Sequence, residues 1–157
     1  MYTTEQGIAF SPSDLLKFWQ SPFASWMDRF ALEYPAQAPS RDTQDQLSES
    51  LSRRGQVHED ALCQSFKDNG LSVIRISGGS EESRRSATLE AMSSGVDVIA
   101  QAQLERGSLS GYADFLVKKS HQPGERDSDL GNWHYEVWDA KLAGGVKPSF
   151  ILQLCSY

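Results

Sequence analysis

Only two cysteines, Cys63 and Cys155, occur in the 157 residues. They are too few for a disulfide framework or a four-cysteine cluster site. Long hydrophobic runs are missing as well. The longest apolar stretches span a few residues, such as Val98-Ile99-Ala100, far short of the roughly 20 that a membrane-spanning helix needs. No cationic segment followed by an apolar one opens the chain, so it reads as cytoplasmic, with no membrane partner. Positive charge is the minority sign: 15 lysines and arginines stand against 21 acids, a net charge of −6. Such a surface does not attract nucleic acid as a whole, and binding to phosphates needs a local basic patch or a bridging metal. The 12 glycines and six prolines exclude collagen and low-complexity disorder. What remains is 39% apolar and 23% charged, the balance of one globular domain over 1–157 with one core.

The apolar pattern is helical first and strand-like later. Ser11-Pro12 followed by Ser13 and Asp14 is a capping cluster, with Leu15, Leu16, Phe18 and Trp19 on an apolar side. Ser21-Pro22 restarts a helix, and Phe23, Trp26, Met27 and Phe30 repeat at helical spacing. After a loop at Pro35–Ser40, a long helix is predicted from about Asp42 to Asn69, closed by Gly70. Its predicted buried stripe is Leu47, Leu51, Gly55, His58, Leu62 and Phe66. Leu71–Ile76 reads as a strand and Ser80–Ser94 as a helix. Val96–Leu104 and Leu109–Val117 read as two strands joined at Glu105–Ser108. A polar loop at Ser120–Asn132 precedes a third strand, Trp133–Leu142, and Pro148–Tyr157 opens a helix that the chain ends inside. Helices, then meandering strands, then a helix predict a mixed α/β (α+β) domain, the N-terminal part of a longer protein.

Few residues in this pattern carry chemistry. Within a strand, Asp139 and Lys141 point to one face, where a carboxylate and an ammonium can hold a metal and position a water. With 21 acids and six lysines in the chain, about one acid-x-Lys triplet is expected by chance. The same pair also reads as a strand-edge salt bridge. Asp114 is a second carboxylate inside an apolar strand, between Ala113 and Phe115. There it needs a partner, a metal or a turn hydrogen bond. On a neighbouring strand, Asp114 and Asp139 would make a hard-oxygen site for Mg²⁺ or Mn²⁺. His58, on the stripe of the long helix three residues after Gly55 and next to Glu59, reads either as a core histidine or as a ligand. Gln153 and Tyr157, four apart, share a helix face.

Taken in order, His58 in GQVHED, Asp114 in GYADFLV, Asp139 and Lys141 in YEVWDAKLA, and Gln153 and Tyr157 in LQLCSY resemble the RecB-like nuclease domain of the PD-(D/E)XK superfamily. The segment FSPSDLLKFWQSP is similar to the start of that domain, of the stand-alone or helicase-fused type. The resemblance implies a restriction-endonuclease-like core, with N-terminal helices followed by a mixed sheet flanked by helices. It implies His58, Asp114 and Asp139 as ligands of Mg²⁺ or Mn²⁺ and Lys141 as the catalytic lysine, with Asp114 and Asp139 completing the catalytic set. It further implies Gln153 and Tyr157 as contacts to DNA. The implied activity is metal-dependent hydrolysis of phosphodiester bonds in DNA repair, recombination or mobile-element defence, with a fused or associated helicase as partner. Many relatives carry four cysteines for an iron–sulfur cluster; with two cysteines, no iron–sulfur cluster is expected in this chain. The superfamily core continues past the last helix, so the domain reads as C-terminally incomplete.

A non-catalytic nucleic-acid-binding or scaffolding module with the same fold is the competing reading, and a complete acid, acid and lysine set argues against it. The doublets Arg53-Arg54 and Arg84-Arg85 read either as flanks of a DNA path or as solvated helix faces. Glu136 and His134 fall on the strand face opposite Asp139 by alternation, and His121 lies in the polar loop, so none of the three receives a role.

Overall fold

The computed structural model describes residues 1–4, 7–40, 46–122 and 128–157, with the backbone alone for 46–48. The expected helix start at Asp42 and the middle of the Ser120–Asn132 loop lie outside the described residues, as does the side chain of Leu47. In chain order the elements are β1 (Tyr2–Thr4), β2 (Gly7–Ala9), α1 (Pro12–Gln20), α2 (Pro22–Glu33), α3 (Gln46–Asp68), β3 (Val73–Arg75), α4 (Glu81–Ser93), β4 (Val98–Arg106), β5 (Leu109–Ser120), β6 (Trp133–Trp138) and α5 (Pro148–Leu154). The fold is mixed α/β, with a four-stranded mixed sheet in the order β3-β4-β5-β6 flanked by helices, and a separate β1-β2 pair. Among the described residues no helix is long and apolar enough to cross a membrane.

The chain groups into two compact units. The first comprises Met1–Ser50, Glu105–Gly111 and Gly144–Tyr157. Here α1 packs against both α2 and α5. Ser11 caps α1 in a reciprocal box with Asp14, and Ser21 caps α2 through the Ala24 N–H, as the two Ser-Pro pairs predict. Gly111 backs onto Pro12 so closely that a Cβ there would stand 2.6 Å from the proline ring. That contact explains the glycine that opens GYADFLV. The rings of Phe23, Trp26, Phe30 and Tyr34 follow one another along α2 at 5.3–6.1 Å, and Phe23 stays 69% exposed. The apolar repeat of α2 is therefore real as periodicity, but its rings pack along the helix as much as into a core.

The second unit comprises Leu51–Leu104 and Tyr112–Ala143. β3 runs parallel to β4, and β5 runs antiparallel to β6. A two-residue turn, Gly107-Ser108, joins β4 to β5, with Gly107 at φ 61°, the sign that a primed hairpin turn requires. The sheet carries a helix on each face. On one face Cys63, Leu62 and Phe66 of α3 pack against Val98, Ala100, Phe115 and Val117. On the other, Trp133 and Tyr135 donate hydrogen bonds to the backbone oxygens of Met92 and Val96, at and just beyond the end of α4. The core-facing part of α3 is its C-terminal half. Leu51, predicted buried, is 50% exposed, whereas Cys63 is buried.

Candidate active site

The β5–β6 ladder pairs Phe115 with Trp138, so one step further brings Asp114 opposite Asp139. β6 stops at Trp138 instead of running to Leu142, because the backbone takes a different partner there. The Ala140 N–H donates to Asp114 Oδ2 at 2.8 Å. The Asp114 side chain thus turns the chain out of the sheet at the position where Asp139 follows. Lys141 is consequently not held by strand alternation. It is held by Asp139 itself, with Nζ 2.8 Å from Oδ1 and 2.7 Å from Oδ2.

Burial decides the electrostatics of the pair. The Asp139 side chain is only 4% exposed, and that of Lys141 is 32% exposed, so this ion pair is largely withdrawn from screening. Asp114 sits between the buried Ala113 and Phe115. Burial, opposed by the Ala140 N–H and reinforced by the hydrogen-bonded, negatively charged Asp139 and the charge of Glu59, pushes its carboxyl up to about 6. Of two carboxyls in mutual reach, Asp139 is paired with Lys141 and Asp114 is the one inclined to keep its proton.

Asp114, Asp139 and Lys141 are thus brought together, all within the second unit. From α3 the charge that acts on Asp114 is that of Glu59, one position beyond His58, which is half-buried. Gln101 of β4 donates from Nε2 to Glu59 Oε2 at 2.7 Å. Periodicity that counts Cys63 as an apolar residue would have found Glu59: positions 59, 62, 63 and 66 follow the i, i+3, i+4, i+7 rule. Gln153 and Tyr157 belong to the first unit. Only Gln153 is helical; α5 ends at Leu154, and the last bonds, Ser156 N–H to Gln153 O and Tyr157 N–H to Leu154 O, tighten to i−3. The shared helix face predicted for Gln153 and Tyr157 is therefore not formed. Arg84 donates to the Gly79 oxygen and to the Tyr112 hydroxyl, with its guanidinium 5.2 Å over the Tyr112 ring. Glu136, of opposite parity, pairs with Lys119 at 3.6 Å.

Among the described residues no group of three or more His, Cys, Asp and Glu side chains is gathered to hold a metal ion. Two hard-oxygen carboxylates do meet. Mg²⁺ commonly uses one or two carboxylates and takes its remaining ligands from water and substrate phosphates. Asp114 and Asp139 fit that donor set, and no soft sulfur ligand stands among them. The fold and site define an α+β protein with a paired-carboxylate and lysine cluster that joins the middle of β5 to the segment just past β6. Comparison with protein-family models, with curated proteins and with solved structures brings up no match for the chain.

Proposed function

We propose that the chain is a divalent-metal-dependent DNA nuclease of the RecB-like, PD-(D/E)XK type, hydrolysing phosphodiester bonds in DNA repair, recombination or mobile-element defence. A cytoplasmic setting and a helicase partner go with that reading. The observation that carries it is the convergence of Asp114, within β5, with Asp139 and Lys141 just past the end of β6. These are two acids and a lysine whose positions 25 residues apart the resemblance singles out.

Asp114 and Asp139 would hold Mg²⁺ or Mn²⁺. When bound, such an ion supplies Lewis acidity toward phosphate oxygens and lowers the pKa of a coordinated water. Asp139 is ion-paired with Lys141. Asp114, with its carboxyl pushed up to about 6, must lose its proton before it serves as a ligand, so activity rises through that pH region. Lys141 brings a positive charge beside the two carboxylates, where charge developing on the scissile phosphate needs it.

Cleavage of labelled single- and double-stranded DNA in Mg²⁺ and Mn²⁺ tests the reading. Lys141→Ala also leaves the buried Asp139 without its ion pair, so Lys141→Arg, which keeps a cation there, accompanies it. Both are expected to lose about 10²–10³ in rate, and Lys147→Ala, whose side chain lies over the Phe150 ring, is expected to cleave like wild type. Full Mg²⁺-dependent cleavage by a folded Lys141→Ala protein would reduce Asp139-Ala140-Lys141 to a structural salt bridge. DNA binding without cleavage by the wild type under every metal condition would favour the non-catalytic module.

A further inference from the structure

We propose that Arg84 anchors the DNA strand at this site: its guanidinium, held in place by Tyr112, takes a phosphate beside the one that an ion on Asp114 and Asp139 would meet. The inference rests on the nuclease reading above and adds to it a substrate contact on α4. Strand alternation along β5 puts Tyr112, Asp114 and Lys118 on one face of the sheet. α4 touches that face at both ends. Near its start Arg84 donates to the Tyr112 hydroxyl. Just beyond its end the Gly95 oxygen accepts from Lys118 Nζ at 2.8 Å. Asp114 therefore stands between two neighbours that reach α4, and it is one same-face step from Tyr112, about 7 Å along the strand.

The partners of Arg84 set it apart. Lys17, Arg29, Arg75, Lys118, Lys119 and Lys141 each pair with a carboxylate. Arg84 pairs with none among the described residues: it bonds the Gly79 oxygen at 2.8 Å and the Tyr112 hydroxyl. Both acceptors are neutral, so they orient the guanidinium and leave its charge uncancelled. The helix turn that carries it is fixed too, because Thr88, fully buried and one turn on, accepts the Gln103 N–H of β4 at 3.1 Å. A guanidinium carries more N–H donors than two bonds use, and the Arg84 Nε–H is enclosed with no acceptor. In a chain with six more acids than bases, a fixed cation left to neutral groups is open to an anion from outside, and its planar fork suits phosphate. Tyr112, 40% exposed, leaves the approach to it open.

Salt titration of the full chain's binding to a labelled DNA duplex in Mg²⁺, read by fluorescence anisotropy, tests this together with KM and kcat for cleavage. Arg84→Gln is expected to weaken binding about tenfold, the worth of a hydrogen bond to a charged group. It should flatten the slope of log affinity against log salt by about 0.9 and raise KM with kcat little changed. Tyr112→Phe keeps the ring and the cation but drops the hydroxyl that holds it, so it should weaken binding less and keep the wild-type slope. Lys67→Gln removes the same charge from the exposed last turn of α3, on the opposite face of the sheet, and should bind and cleave like wild type. Wild-type affinity and slope in Arg84→Gln, or equal flattening in Lys67→Gln, would overturn the proposal. So would a fall in Tm and kcat with the slope unchanged, the mark of a merely structural arginine. Should Arg84→Gln fail to fold, wild-type affinity in Tyr112→Phe overturns it instead. Lys141→Ala in the same assays separates the two readings. If it loses cleavage while Arg84→Gln binds like wild type, only the anchoring role fails. If the wild type neither binds nor cleaves DNA in Mg²⁺ or Mn²⁺, the nuclease reading fails and takes this role with it.

Discussion

At the scale of the residue, Asp114 is where competing demands on one side chain are clearest. Its carboxylate accepts the Ala140 N–H, which favours the charged form, while burial and the neighbouring Asp139 and Glu59 favour the neutral one. The second group prevails, and the carboxyl rises from an ordinary 3.8 to about 6. A raised folded-state value means that the group's contribution to stability is complete below about pH 4 and is lost as pH rises through about 6. Asp114→Asn keeps an acceptor for the Ala140 N–H and removes the titration. Urea denaturation across pH 4 to 8 should therefore show a decline in the wild-type protein over this interval that is absent from Asp114→Asn, with the variant the more stable at pH 8. Parallel curves for the two proteins would mean that Asp114 is not the group that titrates. Added Mn²⁺ should offset the wild-type decline above pH 6, because the ion binds the deprotonated form and so stabilises the folded state by mass action.

At the scale of the element, what was legible in the sequence was what is decided locally. The starts of α1 and α2 follow from Ser11-Pro12 and Ser21-Pro22, because a cap is satisfied within three residues. The end of β6 was not legible, because it is set by a bond from Ala140 back to Asp114, 26 residues away. The same distance explains the site: the aspartates and the lysine stand out in the chain as residue types, but their meeting depends on the β5–β6 register. Glu59 and Gln101 were hidden for the same reason, one being among 21 acids and the other a strand residue whose φ no propensity announces. The α1 cap yields its own prediction. Asp14 Oδ2 accepts from the Ser11 N–H, the Ser11 hydroxyl and the Met1 ammonium. Burial would push its carboxyl up, yet these bonds together outweigh it and hold the group below its usual range. A depressed folded-state value contributes stability above the unfolded value of 3.8 that is lost as pH falls through the folded one. Asp14→Ala should cost about 1 kcal/mol at pH 7, the usual worth of a cap, with the difference shrinking in acid. Thermal melts at pH 7 and pH 3 check it, and an equal loss at both would assign the cap to Ser11 alone.

At the scale of the whole molecule, charge constrains the proposed encounter with DNA. With six more acids than bases, a general electrostatic attraction to a polyanion is excluded. The basic doublets are Arg53-Arg54, Arg84-Arg85 and Lys118-Lys119; Arg84 is committed to Gly79 and Tyr112, Lys118 donates to the Gly95 oxygen and Lys119 pairs with Glu136. If phosphates are reached through an ion held by Asp114 and Asp139, DNA binding must depend on divalent metal first and on salt second. Each phosphate neutralised by a protein cation contributes about 0.9 to the slope of log affinity against log salt. If the two arginine doublets are the phosphate contacts, that slope is no steeper than about −4. Fluorescence anisotropy of a labelled oligonucleotide should show binding in Mg²⁺ or Mn²⁺ that is abolished by chelation and recovered when the ion is restored. Asp139→Asn, which removes the member of the pair held by Lys141, should behave in Mg²⁺ as the wild type does in chelator. Tight binding in chelator with a slope much steeper than −4 would point to a basic DNA surface elsewhere and detach DNA recognition from the Asp114–Asp139 pair.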